Sequence, residues 1–308
     1  MALLSVIIPT HNRADTLKQC LQHIEKQTIA KDLEVIVVSD GHDKETSSLF
    51  SSALSKAKAT KTKKNNWMID IKFLEIPKCH QGVARNKGVK IATAGHVLFI
   101  GDDIFLAPDA CEKHLALHQN FESKSLSLTQ VVLGFTTWDP DLRMTPVMQW
   151  LEESGWQFGY PQIARYAHAR LPSSIQHLFT YTSHVSAQIE VARHFPFRED
   201  VSLYGWEDIE WGMRLKDAGI RIFYEPDAKA FHHHAYTLAE SIKRMEILGE
   251  SAMHMQTIVP SFDRVPQGIK RVGYEMTSLL PTLSGQHRRG FMRGMKRAEN
   301  DLETAVKE

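Results

Sequence analysis

His96-Val97-Leu98-Phe99-Ile100-Gly101-Asp102-Asp103 is the stretch on which the reading of this chain turns. Its apolar run has the length and composition of a strand buried on both faces, the kind found in the middle of a parallel sheet. Two carboxylates follow at once. In open α/β sheets ligands bind beyond the carboxyl ends of the strands, so acids placed there mark a site. The arrangement also occurs earlier, where Asp40 closes Glu34-Val35-Ile36-Val37-Val38-Ser39, and a further acidic pair, Glu207-Asp208, opens an expected helix after Tyr204-Gly205-Trp206. Carboxylates gathered in one crevice repel unless a cation joins them, which makes a metal ion and a phosphate-bearing ligand the natural completion.

Outward from this stretch, residues 3–8 form an expected buried strand broken by Pro9-Thr10-His11-Asn12-Arg13. Leu17, Leu21 and Ile24 then recur at helical spacing behind Asn12, with Asp15 three positions on in a capping-box-like pattern. Residues 33–39 and 69–76 give two more strands, Gly82 opens a helix, and Val131-Val132-Leu133 gives another strand. Strands alternating with helices predict a mostly parallel sheet flanked by helices, an α/β architecture. Residues 138–180 lose that rhythm and carry Trp138, Trp150, Trp156, Phe158, Tyr160 and Tyr166, which reads as a partner-binding insertion, although aromatics this dense more often build core. Trp206, Ile209, Met213 and Leu215 outline a helix ended by Gly219 before the strand at 221–224, and Leu238, Ile242, Met245, Gly249 and Ala252 outline another.

At 308 residues, 43% apolar and 24% charged, the chain can bury a substantial core. One extended domain with appendages is expected. A formal net charge of +1 supplies no overall field for a polyanion, which argues against nucleic acid as main partner. Cys20, Cys79 and Cys111 are odd in number without CxxC spacing, so neither a disulfide framework nor a cysteine zinc knuckle is indicated and a reducing cytoplasm fits. No apolar stretch approaches the roughly 18 residues of a membrane span. The expectation is a soluble protein, peripheral at the inner face of a membrane at most. Between Arg264 and Arg297 eight Lys or Arg face the single acid Glu275, a charge that could meet anionic lipid. Pro266, Pro281 and several glycines interrupt this segment, so a solvated terminal arm is the expectation, as it is for the lysines at 56–64.

Six segments together resemble the family 2 glycosyltransferases, whose fold is the GT-A nucleotide-diphospho-sugar transferase fold. They are Ser5-Val-Ile-Ile-Pro-Thr-His-Asn-Arg13, Val37-Val-Ser-Asp-Gly41, Gly82-Val-Ala-Arg-Asn-Lys-Gly88, Phe99-Ile-Gly-Asp-Asp103, Gly205-Trp-Glu-Asp-Ile-Glu-Trp-Gly-Met-Arg-Leu215 and Phe231-His-His-His234, in the family's order. Singly each is weak; their order is what is specific. The resemblance implies a GT-A domain over 1–258, with a nucleotide-sugar half at 1–135 and an acceptor and catalytic half at 136–258, followed by a basic helical tail at 259–308.

The resemblance also assigns roles. Asp40 is expected to hydrogen-bond the nucleotide base in a pocket lined by Pro9, Thr10, Asn12 and Arg13, a role an acceptor at a strand end can fill, although an Asp before Gly also suits a plain turn. Arg85 and Asn86, in the first turn of a helix, are placed to receive diphosphate oxygens. Gly101 stands where the family has its first acid, which leaves Asp103 as the expected ligand of Mn²⁺ or Mg²⁺ and puts Asp102 near ribose or donor sugar. His232 and His234 are the expected further metal ligands, matching better than His233. Asp208 is the expected general base, with Glu207 contacting acceptor or sugar; acids there also suit a helix N-terminus. The implied reaction is metal-dependent, inverting transfer of a sugar from a nucleoside diphosphate, UDP favoured, to a hydroxyl of a glycan or lipid-linked saccharide. The chain lacks GxxxxGK[ST] and a strand-linked GxGxxG, which argues against P-loop and ordinary dinucleotide enzymes. A sugar nucleotidyltransferase would need a glycine-rich loop where Pro9-Thr10-His11-Asn12-Arg13 stands. A silent nucleotide-sugar or glycan-binding module is the remaining alternative.

Overall fold

The computed structural model describes residues 2–50, 67–126, 129–201 and 204–305; the lysines at 56–64 lie outside them. In chain order the elements are β1 (Leu4–Thr10), α1 (Ala14–Glu25), β2 (Leu33–Asp40), α2 (Lys44–Leu49), β3 (Asp70–Ile76), α3 (Gln81–Ile91), β4 (His96–Ile100), β5 (Ile104–Leu106), α4 (Ala110–Ser123), β6 (Gln130–Trp138), α5 (Pro146–Ser154), α6 (Tyr160–Ile163), β7 (Ala169–Arg170), β8 (His184–Gln188), α7 (Ile189–His194), α8 (Glu207–Asp217), β9 (Arg221–His232), α9 (Leu238–Ile258), α10 (Gly268–Ser278) and α11 (Leu283–Ala305).

The sheet runs β3-β2-β1-β4-β8-β6-β9-β5, with β7 on β9. β3, β2, β1 and β4 are parallel, β8 is antiparallel between β4 and β6, and β9 is parallel to β6. With β8 reversed between them, β4 and β6 stay parallel, so the carboxyl ends of β1, β2, β4, β6 and β9 lie on one edge, while β5 and β7 pair antiparallel with β9. β1, β2 and β4 are fully buried, as their unbroken apolar runs require. Their residues alternate between two cores: Val6, Ile8 and Leu98 face Leu17, Leu21 and Ile24 of α1, while Ile7, Val97 and Phe99 face Ala84 and Val89 of α3 and Trp211 of α8. Glu34, the one acid inside these strands, is satisfied by Ser5, Thr93 and Lys72. At β8, Ser186 links His114 and His118 of α4, and His114 is bonded in turn to His184; burial lowers the pKa of all three, so they act as neutral polar core.

Three local expectations change. β1 continues through Pro9 and Thr10, and Asn12 has a left-handed backbone (φ 52°), so the first residue before α1 is Arg13, which makes no side-chain cap; the capping-box pattern is absent. The aromatics of 138–166 are largely core rather than a displayed insertion: Trp138 and Tyr160 are buried, and Trp150 and Trp156 close on His287 of α11. The basic C-terminal segment is a docked helical region, not a solvated arm. Met292, Met295 and Phe291 of α11 pack with Ala252 and Met255 of α9. The helices approach so closely that a Cβ on Gly294 would lie 1.8 Å from the Glu246 carbonyl oxygen and one on Gly249 2.0 Å from that of Phe291. Arg293 and Arg297 answer Glu246 and Glu250 across the same seam, which absorbs part of the positive charge. Among the described residues no helix is long and apolar enough to cross a membrane.

Candidate active site

At the carboxyl edge of the sheet Arg13 joins β1 to β4 and β9. Its Nη1 donates to Asp102 Oδ1 at 2.9 Å and to Asp103 Oδ2 at 2.7 Å, and its Nη2 lies 2.8 Å from Nδ1 of His234. Thr10 donates to the other Asp102 oxygen at 2.7 Å. His232 and His234 present parallel rings with centroids 5.8 Å apart. Alternation along the strand end turns His233 away, onto Phe105 and Asp139.

Charge is distributed unevenly in this cluster. Burial, followed by repulsion from Asp103, pushes Asp102 up to about 6 against the opposing effect of Arg13. Burial also acts to raise Asp103, but the nearby His232 and Arg13 outweigh it and hold this carboxyl well below the usual carboxylate range. Burial lowers His234, favouring the neutral imidazole that can ligate a cation.

The donor set suits a divalent ion in kind: His232 Nε2 and His234 Nδ1 lie 3.6 and 3.8 Å from Oδ2 of Asp103, beyond hydrogen-bond length, with the Arg13 guanidinium as the cation where they meet. His232 Nδ1 is buried without a partner, so nothing there fixes its tautomer. Two imidazoles with one carboxylate fit Mn²⁺ better than Mg²⁺. Among the described residues, the trio of His and acid ligand atoms that all lie within 4.8 Å of one another is a different one, His168, Glu225 and Asp227, at the irregularity between β6 and β9.

Asp40 sits one strand away. Its Oδ1 accepts from the Cys79 N–H at 2.6 Å and its Oδ2 from Lys78 at 3.1 Å; these bonds outweigh burial and keep it below its ordinary pKa. His11 binds the Asp40 carbonyl oxygen at 2.6 Å, and Asn12 rests against His11. Pro9 lies inside β1.

The second acidic pair opens α8. Gly205 (φ 93°) and Trp206 (φ 72°) turn the chain through left-handed backbone, costly for a Trp, and Trp206 is held there by its indole bond to Leu248 O at 2.9 Å. Glu207 is buried and receives Gln81 and Arg85, the latter at 3.4 Å. Asp208 accepts from the Ile209 N–H at the helix start. Burial, then the Glu207 charge, push it up to about 7. The Arg85 guanidinium, expected on a diphosphate, is buried between Glu207 and the Phe197 ring. Asn86 uses both ends of its amide on Phe197 backbone and Glu199.

Sequence reading missed the groups linking these parts. Tyr236 packs on His234 (4.6 Å) and lies within electrostatic reach of Asp103 and Arg13. Arg244, on the first turns of α9, lies beside Tyr204 and Tyr236 within electrostatic reach of Asp208, with its Nε buried and unpartnered. The loop at 77–80 runs from Asp40 to Glu207, with Lys78, Cys79 and Gln81 binding at its two ends. A cavity of about 330 Å³, lined by Phe135, Trp138, Glu152, Phe158, Tyr160 and Tyr224 among others, adjoins His232 through Trp138 and Phe158. An arginine in an amphipathic helix and a lysine in a loop carry no motif, and only the fold gathers them.

Such a sheet, with acids and histidines gathered at its carboxyl edge, is that of the GT-A glycosyltransferases. Residues 5–177 match the model of glycosyl transferase family 2, and the chain belongs to that family. It is 29% identical over 235 residues to validoxylamine A glucosyltransferase of Streptomyces hygroscopicus subsp. jinggangensis (strain 5008), covering 71% of this chain and 52% of that protein. It is 29% identical over 109 residues to the uncharacterized glycosyltransferase YibD of Escherichia coli (strain K12), covering 35% of this chain and 28% of that protein. The chain thus spans about half or less of the curated relatives it matches. Similar solved structures include S. aureus TarS 1-349 in complex with UDP-GlcNAc (TM-score 0.56, 17% identity, 97% of this chain and 83% of that one). Mannosyltransferase PcManGT from Pyrobaculum calidifontis, in complex with GDP-Man and Mn2+, is another (TM-score 0.57, 17% identity, 99% and 79%). At such identities these likenesses establish the fold.

Proposed function

We propose that this chain is a metal-dependent, inverting glycosyltransferase that moves a sugar from a nucleoside diphosphate, UDP favoured, to a hydroxyl of a glycan or lipid-linked saccharide. The observation that carries the reading is the meeting of Asp103 and His234 at the Arg13 guanidinium, with His232 3.6 Å from Asp103, and with Tyr236 and Arg244 lying between this cluster and Asp208 in electrostatic reach. Asp103, His232 and His234 would hold the cation, which when bound neutralises charge developing on the departing diphosphate.

The other roles belong to the chain's own residues. Asp40, fixed by Cys79 and Lys78, keeps lone pairs free to accept a base N–H beside Pro9, Thr10, Asn12 and Arg13. Asp102, held by Thr10 and Arg13, faces ribose or donor sugar. Arg244, beside Tyr204 and with its Nε buried and unpartnered, supplies the cation for phosphate oxygens that was expected of Arg85; Arg85 instead holds Glu207, and Asn86 steadies the segment at 197–199. Asp208 takes the acceptor hydroxyl's proton as that oxygen bonds to the anomeric carbon and the carbon–phosphate-oxygen bond breaks, releasing the nucleoside diphosphate with its electron pair. One base opposite one leaving group inverts the configuration. The aromatic cavity between His232 and Tyr181 offers stacking surface for the acceptor ring.

Thermal stabilisation by UDP, GDP and their sugars, with and without Mn²⁺, tests the donor and the metal together. A ligand at about 100 times its dissociation constant adds about 2.7 kcal/mol of stability. Stabilisation by no nucleotide under either condition refutes the donor assignment, and a product retaining the donor's anomeric configuration refutes inversion.

A further inference from the structure

Among the described residues, large exposed apolar side chains are scattered singly, as at Met68 and Met144, except at one place. On α10 and its end, Ile269, Val272, Met276, Leu279 and Leu280 are 88, 53, 66, 78 and 49% exposed. Their spacing of three, four, three and one sets them on one face, and Tyr274 and Ser278 on the opposite face pack inward on Phe291 and the α9–α11 seam. Pro266 and Pro281 bound this helix rather than break it. The outward side is therefore an apolar stripe about three turns long that its own fold leaves uncovered.

We propose that this face is a membrane-docking surface that seats α10 in the headgroup region of an anionic phospholipid bilayer. The charge around the stripe selects that occupant. Of the eight Lys and Arg from Arg264 to Arg297, Arg264, Arg271, Arg293 and Arg297 are paired with Asp263, Glu299, Glu246 and Glu250, while among the described residues Lys270, Arg288, Arg289 and Lys296 make no ion pair. Lys270 is exposed on the first turn beside Ile269, and Arg289 and Lys296 are exposed on α11. An apolar stripe flanked by Lys and Arg is the pattern of helices that lie in the plane of a bilayer, where buried apolar area and attraction to anionic lipid add. A second copy of this chain fits less well, because a self-complementary contact would bring the cations without an ion pair, Lys270, Arg288, Arg289 and Lys296, of two copies toward one another. The cationic groups draw the protein to the surface and the stripe holds it there.

The test is co-sedimentation of the intact chain with vesicles of phosphatidylcholine alone and of phosphatidylcholine mixed with phosphatidylglycerol, at low and high salt. The wild type binds the mixed vesicles, and salt weakens the binding. The triple variant Ile269→Ser, Met276→Ser, Leu279→Ser loses at least about tenfold in partition coefficient, and Lys270→Glu loses less. Far-UV circular dichroism and thermal melting confirm that the variants keep the wild-type fold. Failure of the wild type to bind mixed vesicles, or equal binding by the triple variant, overturns the proposal. So does a wild type that is oligomeric by light scattering and does not bind vesicles while the triple variant is monomeric, an outcome that assigns the face to a second copy.

Discussion

Asp102-Asp103 and Glu207-Asp208 are the same pattern in the sequence, two adjacent acids at the start of a turn or helix, yet the fold puts them in opposite electrostatic states. In the first pair one guanidinium, Arg13, reaches both carboxylates, and the histidines complete a donor set around the ionised Asp103. In the second pair the buried cation, Arg85, is ion-paired with Glu207, and among the described residues half-buried Asp208 has no ion pair of its own beside that carboxylate. One pair is built to hold positive charge, and the other contains a carboxyl that takes up a proton near neutral pH. Under the proposed roles, the pair whose arginine reaches both carboxylates supplies the ligand, and the pair whose arginine reaches one supplies the base.

The largest expected effect separates these roles. Asp208→Asn keeps size and polarity but cannot accept the proton, so kcat falls by about 10² to 10⁴ while nucleotide-sugar affinity, read by thermal shift, stays near wild type. Asp103→Asn reverses the pattern, weakening donor and Mn²⁺ binding together. If Asp208→Asn lost donor affinity as severely as Asp103→Asn did, the division of labour between the pairs would be wrong.

How far this contrast could be read in advance follows from its physical origin. The parallel sheet was legible because β1, β2 and β4 are buried on both faces and cannot avoid unbroken apolar runs. The acids were legible because strand ends and a helix start fix their place along the chain. What separates the two pairs was not legible, since Arg13 reaches Asp103 across ninety positions and Arg85 reaches Glu207 across 122. Arg85 and Asn86 drew attention by lying in a helix's first turn, yet the direction of a side chain depends on what packs opposite, here Phe197 and Glu207. The C-terminal segment misled for a related reason. Its glycines suggested breaks, whereas Gly290 and Gly294 are points where α11 comes against the backbone of α9.

A smaller effect probes the first pair. Arg13→Met leaves Asp102 and Asp103 close together with no bound cation; because the arginine side chain is about a third exposed, the cost falls between the surface and buried limits, about 1 to 3 kcal/mol. Mn²⁺ then restores more stability to the variant than it adds to the wild type, since it meets no competing guanidinium. Melting curves of both proteins with and without Mn²⁺ measure this, and equal Mn²⁺ increments would mean that Arg13 does not stand at the cation's position.

The smallest effect concerns pH and the second pair. Asp208 must be ionised to act as base, so kcat/KM rises with pH and levels off above about 7. The sign for stability is the reverse. A carboxyl whose folded pKa is raised favours the native state when protonated, so its contribution declines as pH climbs from the ordinary Asp range, about 4, toward 7. Burial is the leading cause of the shift and survives substitution of a neighbour, whereas the Glu207 charge, the next cause, does not. Glu207→Gln should therefore move the acidic limb of the kcat/KM profile down by up to about one unit without abolishing it, whatever the substitution does to KM. A limb that stayed at the wild-type position would show that desolvation alone tunes Asp208, and a limb absent from the wild type would remove Asp208 as the titrating base.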